Sequence, residues 1–99
     1  MVSVSEARQV LTGAQLRAAR GLLNLSVVKL AEQTGLAINT IRKAESENGN
    51  VPVTQATSTL LRTSFEQLGI VFIEADELGP GVRLRNPEPT ARQPRRRVK

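Results

Sequence analysis

The chain has 99 residues, no cysteine and no histidine, and a formal net charge of +5. A chain of this length builds one modest core, so we expect a single domain without a deep catalytic cleft. The absent residue types exclude disulfides, thiolate nucleophiles and zinc–sulfur sites, and they remove the commonest metal ligand and general base. The composition therefore predicts a protein that is not an enzyme and that uses no metal, cofactor or small-molecule ligand.

The excess positive charge lies at the C-terminal end of the chain. Residues 90 to 99 carry no acid and five basic side chains, which are Arg92, Arg95, Arg96, Arg97 and Lys99. Residues 1 to 89 hold nine basic and nine acidic side chains, so a basic face there must arise from their arrangement. The excess favours an anionic partner. Because no stretch approaches the roughly 18 apolar residues of a membrane span, we expect a cytoplasmic protein without a membrane partner.

The first ordered element is predicted to be a helix over residues 13 to 22. Residues 1 to 11 show weak periodicity, and we interpret them as a flexible lead-in. Thr12 and Gln15 fit the S/T-x-x-E/Q capping box, and apolar side chains follow at helical spacing. The folded domain is therefore expected to begin at Thr12.

Two shorter helices are predicted next, separated by a glycine. Ser26 can cap a helix over residues 27 to 34, and Gly35 can take the left-handed conformation that ends it. The apolar pattern then restarts and predicts a third helix over residues 37 to 45, which stops near the polar run of residues 47 to 50. Two helices joined by so short a turn form a helix-turn-helix, in which the second helix projects outward.

A fourth helix and a β-hairpin complete the predicted fold. The apolar stripe of TQATSTLLRTSFEQLG predicts a helix that ends at Gly69, with a break near its start left open. The β-branched run of residues 70 to 75 and the alternating residues 82 to 85 flank the turn sequence DELGPG, which predicts a hairpin. The domain therefore spans residues 12 to 69, and the hairpin region spans residues 70 to 86.

The hairpin is also the predicted dimerisation element. An isolated two-stranded hairpin is marginal in water, so its strands must pack on helices or pair with another chain. An edge strand this apolar favours a symmetric partner, and hence a homodimer with a shared antiparallel sheet. The predicted interface residues are Ile70, Val71, Phe72, Ile73, Val82 and Leu84. Residues 87 to 99 combine proline with arginine and are predicted to be a disordered basic tail.

The segments LRAARGLLNLS and LAEQTGLAINTIRKAE together carry a family pattern. Its positions are Leu25, Ser26, Leu30, Ala31, Gly35, Ile41, Ala44 and Glu45. From Leu16 to Glu45 the chain resembles the Cro/CI-type, or XRE-type, helix-turn-helix family of phage repressors and bacterial regulators. This resemblance implies a mainly α, compact four-to-five-helix lambda-repressor-like DNA-binding domain, here with a C-terminal β-hairpin. It further implies a dimeric repressor or autoregulator that binds double-stranded DNA at a near-palindromic operator and is nucleoid-associated when bound.

The resemblance assigns roles to residues position by position. Base reading in the major groove falls on Ala37, Ile38, Asn39, Arg42 and Lys43. Phosphate binding falls on Arg17, Ser26, Val27, Thr40 and Lys43. The Asn39 amide would contact adenine at two points, Arg42 or Lys43 would reach guanine or a phosphate, and Ile38 would touch a thymine methyl. A structural ion pair between Arg20 and Glu45 is also implied.

Three positions depart from the family pattern. Val27 replaces the usual glutamine, so the phosphate contact of that side chain is lost or made by a neighbour. Ala37 stands where a capping serine or threonine is common, which leaves the amides of the third helix without a side-chain acceptor. Lys29 replaces the usual acid and removes favourable charge from the first turn of the second helix.

Other interpretations stay open from the sequence alone. Ile38 can be buried against the core, the polar side chains of the third helix can form a solvated face, and Arg20 and Glu45 can be separate surface charges. The tail can be a solvated end, or it can raise nonspecific DNA affinity. Val27, Ala37 and Ile38 also suit a protein-binding antiactivator or antitoxin-like module with the same fold. The acids of residues 74 to 77 are interpreted as solvated loop acids rather than a metal site.

Overall fold

The computed structural model describes residues 11–87, which form four helices and one two-stranded antiparallel sheet. Helix α1 (Gly13–Leu23) begins at the predicted capping box. The Gln15 backbone N–H donates to Thr12 Oγ1 at 3.0 Å, and the Thr12 N–H donates to Gln15 Oε1 at 3.0 Å. Asn24 ends the helix in the left-handed conformation, with φ of 55°. Asparagine tolerates this conformation because its short side chain is polar and unbranched at Cβ.

Helices α2 (Val27–Thr34) and α3 (Ile38–Ala44) follow the predicted pattern. The Lys29 N–H donates to Ser26 Oγ at 3.0 Å and so begins α2. Gly35 ends it with φ of 76°, and its N–H donates to the Ala31 carbonyl at 2.8 Å. Helix α3 is one residue shorter at each end than predicted, because Ala37 is its N-cap and Glu45 its C-cap.

The second half of the domain is an unbroken helix followed by the hairpin. Helix α4 (Gln55–Gln67) is capped by the Thr54 hydroxyl, which accepts from the Thr57 N–H at 3.1 Å. Strands β1 (Ile70–Ile73) and β2 (Gly81–Leu84) then pair antiparallel, with Ile70 opposite Leu84. Both strands are four residues long. Strand β1 is therefore two residues shorter than predicted, and β2 lies one residue earlier in the chain.

One hydrophobic core joins the four helices to β1. Its buried residues are Leu11, Leu16, Ala19, Leu23, Leu30, Ile41, Ala44, Leu61, Phe65, Ile70 and Phe72. The rings of Phe65 and Phe72 meet edge to face with centroids 6.2 Å apart, a favourable geometry for aromatic pairs. The Arg62 guanidinium lies 5.2 Å from the centroid of the Phe72 ring and covers the outer side of this cluster.

The burial of residues corrects two sequence-based expectations. Leu11, assigned to the flexible lead-in, is 1% exposed and belongs to the core; the other lead-in residues, 1–10, lie outside the described residues. Ile70 and Phe72, predicted to form a dimer interface, are 0% and 7% exposed because they face the helices of their own chain. The predicted tail from residue 88 onward lies outside the described residues.

The described helices are short. Among residues 11–87, no helix is long and apolar enough to cross a membrane.

Candidate nucleic-acid interface

Helix α3 has a buried face and an exposed face. Ile41 and Ala44 are fully buried, and Ile41 shares the core with Leu30 of α2. The exposed positions include the whole predicted base-reading set, which is Ala37, Ile38, Asn39, Arg42 and Lys43. Ile38 is 37% exposed, so its side chain is not buried in the core. The turn at Gly35 thus leaves one side of α3 open to a partner.

The exposed face of α3 is polar and basic, with an apolar first residue. Its sequence, INTIRKA, contains no acid, and Arg42 and Lys43 lie in its last turn. Positive charge in that position is favourable because the C-terminal end of a helix carries a partial negative charge. Asn39 is exposed and places an amide with both a donor and an acceptor on this surface.

A two-point ion pair fixes the C-terminal end of α3 to α1. Arg20 Nε donates to Glu45 Oε2 at 2.7 Å, and Arg20 Nη2 donates to Glu45 Oε1 at 2.9 Å. The third donor group, Nη1, reaches the Leu25 carbonyl at 3.0 Å. Glu45 is 8% exposed, so this carboxylate is held inside the protein with its charge balanced. The predicted ion pair is therefore present, and the two residues are not separate surface charges.

The electrostatics of the pair favour the charged form of the arginine. The hydrogen bonds that Arg20 donates to the Glu45 carboxylate raise the pKa of Arg20, an effect that burial opposes and that the charge of Glu45 reinforces. A raised pKa means that the cation is more stable in the folded protein than in water. The Arg20 guanidinium therefore acts as a permanent cation in this position.

Arg17 makes a second connection from α1 to the end of α3. Its Nη1 donates to the Glu45 carbonyl oxygen at 2.5 Å, and its Nη2 donates to the side-chain Oδ1 of Asn48. Arg17 was predicted to bind phosphate, yet both of its terminal nitrogens have partners within the chain. Asn48 was not predicted as a site residue. It belongs to a polar run that indicates only the end of a helix, so no sequence signal pointed to it.

Of the remaining phosphate candidates, Thr40 and Lys43 lie on α3, whereas Ser26 and Val27 lie at the start of α2. A shallow pocket of about 400 Å³ lies there, lined by Arg17, Arg20, Gly21, Asn24, Leu25 and Ser26. Ser26 is exposed, but its hydroxyl already accepts from the Lys29 N–H. Val27 and Thr40 are half-buried, whereas Lys43 is exposed. The structure thus leaves the Lys43 ammonium more accessible to a phosphate than the Thr40 hydroxyl.

No protein family model, curated protein or solved structure matches this chain.

Acidic side chains lie mainly in other elements. Glu74, Asp76 and Glu77 follow β1, and the Asp76 carboxylate accepts from the Leu78 N–H at 2.8 Å, which stabilises the hairpin turn. Residues 11–87 contain no group of three or more acidic, histidine or cysteine side chains placed to hold a metal ion. Lys29 and Glu32 form an exposed pair at 3.6 Å on α2. Such a pair contributes little to stability, so Lys29 can turn to an anionic partner at small cost.

Proposed function

We propose that this chain is a sequence-specific regulator of transcription that binds double-stranded DNA as a homodimer, with a lambda-repressor-like domain. The observation that carries the proposal is the outer face of α3, which exposes Asn39, Arg42 and Lys43 while Ile41 and Ala44 anchor its other face. The DNA major groove is about 12 Å wide and admits one helix. A short helix held at an angle by a glycine turn suits insertion into that groove.

The side chains of α3 match the chemistry of base edges. The Asn39 amide can donate to and accept from adenine, and Arg42 can donate to two acceptors of guanine. Ile38 is exposed enough to contact a thymine methyl group. The Lys43 ammonium would neutralise a phosphate and the backbone amides at the start of α2 would donate hydrogen bonds to another, which together would set the register of α3 on the duplex. The expected mode of action is occupancy of an operator, as a repressor or autoregulator in the cytoplasm.

Dimerisation extends the number of base pairs that are read. One short helix reads only a few base pairs, whereas two copies would read half-sites about 34 Å apart and favour a near-palindrome. Val71 and Ile73 lie on the outer face of β1, where they are 36% and 41% exposed. We propose that this face, rather than the buried Ile70 and Phe72, meets a second copy.

Selection of bound duplexes from a random pool, repeated over a salt series, tests the proposal. A near-palindromic consensus should emerge. On that consensus, Asn39→Ala and Arg42→Ala should each lower specific affinity by about 1–3 kcal/mol and relax the preference at one position, while nonspecific binding persists. Gln33→Ala is the matched control, because Gln33 is an exposed amide on α2 outside the reading set. Failure to enrich any sequence would contradict the proposal.

A second candidate function is suggested by exposed apolar side chains on the same helix pair. Val28 of α2 is 50% exposed and Ile38 of α3 is 37% exposed. An antiactivator or antitoxin-like module would use such side chains to bind another protein, since central apolar contacts are typical of protein interfaces. An absence of sequence selection, with loss of protein binding in Val28→Lys and Ile38→Lys, would favour this function over the first.

A further inference from the structure

We propose that Arg17 and Asn48 orient α3, so that Arg17 is a positioning residue for DNA reading and not a phosphate ligand. The part that concerns DNA depends on the function proposed above. The structural part stands on contacts between α1 and the chain segment that follows α3.

Helix α3 is too short to hold its own orientation. It has seven residues, and Ala37 supplies no side-chain cap at its N-terminal end. Isolated helices of this length are unstable in water, because the first turn is costly to nucleate and few hydrogen bonds follow. The direction of α3, and with it the direction of Asn39 and Arg42, must therefore be set by contacts with neighbouring elements.

The segment after α3 is attached to the start of α1. The Gly13 N–H donates to the Gly49 carbonyl at 2.9 Å, and the Val51 N–H donates to the Leu11 carbonyl at 3.1 Å. Thr12 and Asn50 also form an antiparallel bridge. The C-terminal end of α3 thus leads directly into backbone that α1 and the residue before its cap hold in place.

Arg17 connects this fixed segment to the end of the helix. One terminal nitrogen holds the Glu45 carbonyl and the other holds the side chain of Asn48. The carbonyls at the end of a helix have no partner within the helix, so a guanidinium there satisfies one of them and complements the helix dipole. Arg20 binds the carboxylate of the same Glu45. Two arginines therefore hold different groups of one residue, and together they resist rotation of α3.

The planar guanidinium is required for this arrangement. Its N–H groups point in fixed directions within one plane, so two separate acceptors can be bound at once. A lysine keeps the charge but has one nitrogen on a flexible stem and cannot reproduce the geometry. A phosphate contact depends chiefly on charge, and it should largely survive replacement by lysine. Arg17→Lys therefore separates the two roles.

The first measurement uses DNA. We expect Arg17→Lys and Asn48→Ala each to lower the ratio of specific to nonspecific affinity by about tenfold, as the loss of a charge-assisted hydrogen bond predicts. The salt dependence should not change, and the double variant should be no worse than Arg17→Lys alone, because Arg17 takes part in both contacts. Lys43→Met, which removes a predicted phosphate contact, should instead lower the salt slope by about 1. An unchanged affinity ratio in Arg17→Lys, with a reduced slope in Arg17→Met, would overturn the proposal.

The second measurement needs no DNA. Amide hydrogen exchange in the free protein should become faster at Glu45 and Ser46 in both Arg17→Lys and Asn48→Ala. These two amides lie at the C-terminal end of α3, which Arg17 connects to α1. Unchanged exchange in both variants would refute the positioning role even if the wild-type chain selects an operator. If the wild-type chain selects no sequence but exchange quickens, the proposed function fails while the structural role of the pair is retained.

Discussion

Gln15 on α1 joins the helical domain to the hairpin through Gly81. Its Nε2 donates to the Gly81 carbonyl at 2.9 Å and approaches the Ile73 carbonyl at 3.3 Å, while its Oε1 accepts from the Thr12 N–H. The residue is 4% exposed. One buried amide therefore begins α1 and also holds the two strands where the hairpin opens into its turn. The sequence predicted the first role and not the second, because the carbonyls belong to residues far along the chain.

Replacement of Gln15 should destabilise the whole domain. Gln15→Leu keeps a similar volume but removes the donor from two carbonyls and the acceptor from the cap, and we expect a loss of about 2–3 kcal/mol in unfolding free energy. Gln15→Glu keeps the cap acceptor but replaces the donor with a buried carboxylate beside the two carbonyls, so it should destabilise the domain at least as much. Urea denaturation measures both variants. Gln33→Leu on the surface of α2 is the control, and a loss of equal size there would contradict this account.

Removal of one partner of the Arg20–Glu45 ion pair should lower the unfolding free energy, because the other partner keeps its charge inside the protein. Arg20→Met leaves the Glu45 carboxylate, 8% exposed, without its cation, and breaking such a pair costs about 2–4 kcal/mol. Arg83→Met, at an exposed arginine on β2, should change stability by less than about 0.5 kcal/mol. Thermal or urea unfolding measures both changes. A cost for Arg20→Met no larger than that of the control would show that the pair contributes nothing.

The Arg20–Glu45 pair also predicts how its contribution to stability depends on pH. Because the pKa of Arg20 is raised in the folded state, its contribution is fully present below the unfolded pKa and is lost only as pH rises through the folded one. Both values are strongly alkaline, so the difference in stability between wild type and Arg20→Met should not change from about pH 7 to pH 10. Denaturation at both pH values checks this, and a difference that shrinks over that range would contradict it.

The two glycines of α1 should respond to alanine in opposite directions. A Cβ at Gly13 would lie 1.9 Å from the Glu47 carbonyl oxygen, so backbone must move, and we expect a loss of about 1–3 kcal/mol. A Cβ at Gly21 would have nothing within 4 Å, and alanine there should stabilise the helix by about 0.5–1 kcal/mol. Unfolding free energies of Gly13→Ala and Gly21→Ala test the pair. Equal changes in unfolding free energy would mean that the segment after α3 does not pack closely against Gly13.

Local signals account for the parts of the fold that could be predicted. Thr12 and Ser26 each cap a helix within a few residues of sequence, and Gly35 ends one, so α1 and α2 agree with prediction within one residue. Arg20 and Glu45 were paired only through the family resemblance. Contacts between distant residues were missed, as with Arg17 and Asn48, because neither periodicity nor capping patterns describe which polar groups meet after folding.

In the hairpin, too, the local sequence pattern predicts the strands but not which side chains contact distant helices. Its apolar residues were predicted to form one interface, yet a strand turns alternate side chains to opposite faces. Ile70 and Phe72 therefore fill the core, while Val71 and Ile73 face outward. The alternation was visible in principle. Which face meets the helices was decided by how α4 leads into β1, and a run of four apolar residues carries no polar position to indicate it.

The outward face of β1 gives the last prediction, which concerns the proposed homodimer. Val71→Lys with Ile73→Lys should shift the chain from dimer to monomer, because a buried valine or isoleucine contributes about 1.5–3 kcal/mol and charged replacements cannot be buried cheaply. Both residues are already exposed in the single chain, so the monomer should stay folded. Sedimentation equilibrium measures the change. Leu22→Lys on α1, at 38% exposure, is the matched control and should remain dimeric. A wild-type chain that is monomeric at high concentration, or a double variant that still dimerises, would show that this face does not form the interface.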